Sequence, residues 1–175
     1  FLAQAHEFHG DYGAAVRMLS GDLADLRQTY RHTRLGMTGT ISVLHTSLLS
    51  HSAAYRGAFT EAEAHAREAC AIAEETGRPY DVGVAHFGDG IVKICRGRAE
   101  EAIASLETGW RSCEAAGINA LLPMIGGRLG FAYAINGQLE KGAELLEFSR
   151  LRSTGAVHVH CWSLAFSGWV EHRRG

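Results

Sequence analysis

The chain has 175 residues, of which 46% are hydrophobic, and 17 Lys and Arg against 19 Asp and Glu give it a formal net charge of −2. That balance, with no basic run beyond Arg173-Arg174, lacks the footprint of a nucleic-acid binder, and no stretch approaches the roughly 20 apolar residues of a membrane span. Cys70, Cys95, Cys113 and Cys161 are too widely and unevenly spaced for zinc knuckles or a secreted disulfide framework, so they read as buried, reduced thiols in a cytoplasmic protein.

Apolar residues recur at intervals of three and four along most of the chain, which predicts nine helices near 1–9, 11–29, 35–56, 59–76, 80–96, 99–116, 118–136, 139–154 and 156–173. The chain opens at Phe1 with no initiator Met, already inside a helical pattern, and is expected to be a piece of a longer protein. Between Gln28 and Thr40, Gly36 and Gly39 suggest a longer connection. The fourth helix begins with Thr60 and Glu63, the spacing of a capping box. It stops at Gly77, and Pro79 forbids resumption. After Gly97, Ala99, Ala102, Ile103, Leu106, Gly109, Trp110 and Cys113 form one buried stripe, with acidic residues opposite. Pro123, like Pro79, stands near the start of a helix, where a missing amide costs little. The last helix carries Val157, Val159, Trp162, Leu164, Ala165, Phe166, Trp169 and Val170 with no second helix to cover them. A homodimer through that helix is therefore expected.

Gly57, Gly97 and Gly137 recur every forty residues, each opening a related stretch (RGAFTEA, RGRAEEA, NGQLEKG). Ser50, Gly90 and Gly130 keep the same step, as do Ala62, Ala102 and Gly142, and Ala69, Gly109 and Ser149. A fixed period of this length marks stacked supersecondary units, none able to bury its apolar face alone. Each unit reads as a helical hairpin, with boundaries near 1–34, 35–77, 78–117 and 118–155 and a partial unit at 156–175, all in one domain.

Leu129-Gly130-x-x-Tyr133, followed by Gly137, Gly142, Leu146 and Ser149, resembles the tetratricopeptide pattern. The other units keep parts of it: Leu49, Ser50, Gly57, Ala62 and Ala69 in the second, and Gly90, Gly97, Ala102, Leu106 and Gly109 in the third, where Asp89 and Lys93 replace Leu and Tyr. A period of forty resembles the longer-helix arrays at the carboxy-terminal end of bacterial multidomain ATPase, cyclase or transcriptional regulators. The resemblance implies an all-α fold, an α-α superhelix (a tetratricopeptide-like solenoid) of about four hairpins plus one terminal helix. It also implies an inner face carrying His51, Val84, Phe87, Ile91, Met124, Phe131, Trp162 and Trp169. Two readings of that stripe stay open: the residues pack on one another, or they form an apolar groove for a partner.

Catalytic chemistry is absent from the motifs. GGRLG, from Gly126 to Gly130, lacks the ending of a phosphate loop, and no nucleophile elbow or HExxH occurs. His158 and His160 lie about 200° apart on a helix, which leaves His158 and Cys161 as two ligands without a site. No metal and no cofactor is expected. One anomaly remains: His86, Asp89 and Lys93 share a helix face at spacings of three and four, with Arg128 expected as a fourth member of the polar patch. The expected function is a non-catalytic protein-protein interaction or scaffold domain of a larger regulatory protein, with a protein or peptide segment as partner. The alternative is a small-molecule or peptide sensor controlling an attached cyclase, ATPase or DNA-binding domain.

Overall fold

A computed structural model describes residues 2–21, 23–153 and 156–174. These residues form ten helices and no strand: α1 (Leu2–Phe8), α2 (Tyr12–Gly21), α3 (Leu23–Gln28), α4 (Ile41–Tyr55), α5 (Phe59–Thr76), α6 (Pro79–Cys95), α7 (Ala99–Ala115), α8 (Leu122–Ile135), α9 (Leu139–Arg152) and α10 (Val157–Arg174). The closest-packed neighbours are α4 with α5, α6 with α7 and α8 with α9, each pair joined by a turn of a few residues. Connections this short make each pair a helical hairpin. The hairpins stack through α4 on α6, α5 on α6 and α7 on α8, and α10 packs on α9 and α8.

The forty-residue glycines close the hairpins. Gly57, Gly97 and Gly137 have φ of 81°, 73° and 83°, a left-handed conformation that glycine adopts without a side-chain penalty. The second register works by proximity. A Cβ on Gly130 would sit 2.8 Å from the Gly142 carbonyl oxygen and 3.0 Å from Leu146, and one on Gly90 would collide with Leu106. Leu106 and Leu146 are forty residues apart and fully buried. Each helical glycine, which costs about 1 kcal/mol relative to alanine, thus admits the leucine of its partner helix.

Several boundaries differ from the sequence expectation. Within the predicted helix 11–29 the described residues form α2 and α3, and Asp22 between them lies outside the described residues. Helix α4 starts at Ile41 rather than 35, because Leu35 and Gly36 are left-handed, with φ of 48° and 80°. A fully buried carboxylate also takes hold just before it. Asp81 on α6 accepts from the Thr40 amide at 2.8 Å, the Thr40 hydroxyl at 2.6 Å and the Thr76 hydroxyl at 3.0 Å. Helix α8 begins at Leu122 and not at 118, since residues 118–121 form a turn. The Thr60–Glu63 capping box does not form. The chain leaves Gly57 so tightly that Ala58 is already the N-cap, which puts Thr60 inside the helix. Glu63 instead faces Arg96 and Arg98 at 3.4 and 3.3 Å.

The main core runs from α4 to α9 and includes Val43, Ile72, Phe87, Ile91, Leu106 and Ile125. Two smaller clusters sit at the ends, one joining Ala3, Val16, Leu19 and Leu49 and one joining Ala134, Leu146 and Val170. All four cysteines are free, but only Cys113 is fully buried; Cys161 is exposed. No described helix is long and apolar enough to cross a membrane.

Candidate functional site

Side chains of α1, α4, α6, α8 and α10 line an open concavity of about 590 Å³. Its lining is mostly apolar and includes Leu44, Leu48, Val84, Phe87, Met124 and Trp162, with His45, His51, Glu7 and His158 among the polar members. The first and last helices meet across the rim, where the Phe8 ring stacks on His158 with centroids 4.6 Å apart. His158 in turn lies edge-on to Trp162 at 5.3 Å.

Five of the eight predicted groove residues line this space: His51, Val84, Phe87, Met124 and Trp162. The other three do not. Ile91 is 2% exposed and belongs to the core. Phe131 stacks on Phe166 at 4.2 Å and meets Trp169 edge-on at 5.6 Å, so α10 lies on α8 and uses both aromatics for its own packing. The apolar face of α10 is therefore largely occupied. Val159 and Val170 are buried, whereas Val157, Cys161, Leu164 and Ala165 are exposed.

Beside the groove lies a buried polar cluster. Arg128 stands 4.1 Å from the Trp162 ring centroid and donates to the Tyr55 hydroxyl at 3.0 Å. His51 Nε2 lies 3.2 Å from Glu7 Oε1, and the Ser52 hydroxyl donates to that same oxygen at 3.2 Å. Burial pushes the Glu7 carboxyl up to about 7, against the opposing pull of the Ser52 hydrogen bond and the Arg128 charge. Burial and then Arg128 push the His51 imidazole down to about 3. The Tyr55 phenol rises to about 12, again mainly through burial. Burial thus favours a neutral imidazole and a proton-retaining carboxyl in this cluster, beside the Arg128 side chain.

Arg128 was expected beside Asp89, and its placement here corrects that. In the forty-residue register Arg128 matches Gly88 and Asp89 matches Leu129, so the two differ by one position, or about 100° around the helix. Glu7 was missed, although its position three before Gly10 matches Ala54, Ile94 and Ala134 before their own glycines. A carboxylate in that small or apolar register was the available signal.

His86, Asp89 and Lys93 do come together, on the opposite face of α6. Lys93 Nζ is 2.6 Å from Asp89 Oδ2, and the Ser105 hydroxyl of α7 donates to the same oxygen at 2.6 Å. His86 Nδ1 is 3.0 Å from Ser105 Oγ. Cys70 of α5 joins the group: a ligand atom of Cys70, His86 and Asp89 each lies within 4.8 Å of the other two. These residues border a second crevice of about 430 Å³. Burial raises the Cys70 thiol to about 12 and lowers the His86 imidazole below its ordinary value.

The GGRLG run serves packing. A Cβ at Gly126 would sit 2.9 Å from the Trp110 ring, and one at Gly127 3.0 Å from Ser149 Oγ. No family model matches the chain, and no curated protein does.

Proposed function

We propose that the domain is a non-catalytic binding module, a long-helix array of tetratricopeptide-like hairpins wound so that its inner face holds a compact, mostly apolar ligand. The observation that carries this reading is the inner concavity itself. Its volume of about 590 Å³ falls within the roughly 300–1,000 Å³ of small-ligand pockets, and such pockets combine an apolar lining with a few polar groups. The stacked Phe8 and His158 bridge α1 and α10 across the rim. A trough for a continuous partner helix would be open there. The sensor alternative of the sequence reading therefore gains over the scaffold reading, and control of an attached domain in a larger regulatory protein is the role we assign to it.

The scaffold reading keeps one surface, the exposed Leu151, Val157 and Leu164 near α9 and α10. A protein partner or a second copy would dock there rather than in the groove.

The test uses anilinonaphthalene sulfonate, a fluorescent apolar probe. It is expected to bind one per chain, to raise the melting temperature as a native-state ligand must, and to lose at least tenfold in affinity in Met124→Glu. Leu164→Glu is expected to bind as the parent does. Unsaturable binding, or loss in Leu164→Glu alone, overturns the groove reading.

A further inference from the structure

The side-chain cluster behind the groove lies outside the ligand site proposed above and has its own chemistry. Helices α5 and α6 are joined at Gly77, with Cys70 seven residues before that turn and His86 nine after it. An antiparallel hairpin brings two such positions to one level. Asp89 stands three residues beyond His86, so both share a face of α6.

We propose that Cys70, His86 and Asp89 form a three-ligand site for a zinc-class divalent cation, with a fourth coordination position open to the crevice. A thiol, an imidazole and a carboxylate are the donors of zinc and its borderline-soft neighbours, whereas magnesium and calcium take oxygen throughout. The three ligand atoms, within 4.8 Å of one another, need only close to about 3.5 Å, the spacing set by tetrahedral zinc bonds of roughly 2.0–2.3 Å. All three side chains are half-buried and border open space, so rotation of side chains suffices.

Ser105 supplies the supporting contacts that such sites use. Its hydroxyl proton goes to Asp89 Oδ2, so its oxygen accepts from the His86 Nδ1–H. That tautomer leaves Nε2 with its lone pair. On binding, the Cys70 thiol gives its proton to water and the sulfur's electron pair to the cation, with no change of oxidation state. The cation then replaces the Lys93 ammonium as counter-charge to Asp89, and the long Lys93 side chain turns toward solvent. Glu63, Arg67, Glu74, Arg98 and Glu101 complete the rim.

Titration of the reduced, purified chain with cobalt(II) tests the site. One equivalent is expected to give a saturating thiolate-to-cobalt charge-transfer band that zinc abolishes by competition. Cys70→Ala is expected to lose the band, Asp89→Asn to weaken cobalt at least tenfold, and Cys161→Ser to leave it unchanged. Circular dichroism of each variant confirms folding. Should Cys70→Ala misfold, Asp89→Asn and the parent chain still decide. No band at one equivalent, a band surviving in folded Cys70→Ala, or cobalt affinity unchanged in Asp89→Asn overturns the proposal. A failed cobalt titration leaves the groove reading untouched, because the two sites lie on opposite faces of α6.

Discussion

Glu7 and His51 are 3.2 Å apart and are both shifted mainly by burial, yet in opposite senses. Glu7 rises from 4.5 to about 7. Between those values the folded state keeps a proton that the unfolded chain has released, so this group removes stability as pH climbs from 4.5 to 7. The full penalty above pH 7 is about 3 kcal/mol. His51 falls from 6.5 to about 3, so the unfolded chain binds a proton that the folded one refuses. Its contribution is complete above 6.5 and is lost as pH drops toward 3. The two slopes oppose each other between 4.5 and 6.5. Glu7→Gln is therefore expected to match the parent near pH 4, to gain on it steadily up to pH 7, and to stay ahead by up to about 3 kcal/mol above that. Urea denaturation of both chains at several pH values checks this, because titrating groups distant from Glu7 cancel in the difference. A difference that does not vary with pH would refute the burial argument.

Among the elements, the hairpins were legible in the sequence and their lead-in segments were not. Turn glycines and i, i+3, i+4 stripes are local signals, and α5, α6, α7 and α9 end within a residue or two of expectation. The start of α4 depends instead on Asp81, forty-one residues downstream of Thr40, which no local pattern encodes. The same limit applied to the sites. His86, Asp89 and Lys93 share one helix and were found together, whereas Cys70, Ser105 and Glu7 arrive from other helices. Asp81 also gives this scale its prediction. Asp81→Ala leaves the Thr40 amide and hydroxyl without their acceptor in a fully buried place. A cost of about 3 kcal/mol is expected, read as a melting temperature lower by roughly 10 °C in a chain of this size. A drop of less than 2 °C would show that the Thr40 segment is held by something else.

For the whole molecule, the distribution of buried contacts sets where the array opens first. Its largest cluster joins α4 through α9, while α1 and α2 are tied on by the small group of Ala3, Val16, Leu19 and Leu49. Stacked repeats hold one another by nearest-neighbour contacts, so an end with few of them frays at lower free energy than the middle. The Phe8–His158 stack supplies a contact that an open array lacks, joining the first helix to the last. Hydrogen exchange is expected to be slowest in α6, α7 and α8, faster in α10 and fastest in α1. Phe8→Ala is expected to speed exchange in α1 and to weaken binding of the apolar probe several-fold, with little change in α6 or α7. Leu164→Glu, on the outer side of α10, is the control, since it removes an exposed side chain and leaves the bridge intact. Equal protection across all helices, or an unchanged α1 in Phe8→Ala, would mean that the ring contact contributes nothing and that the groove stands without its first wall.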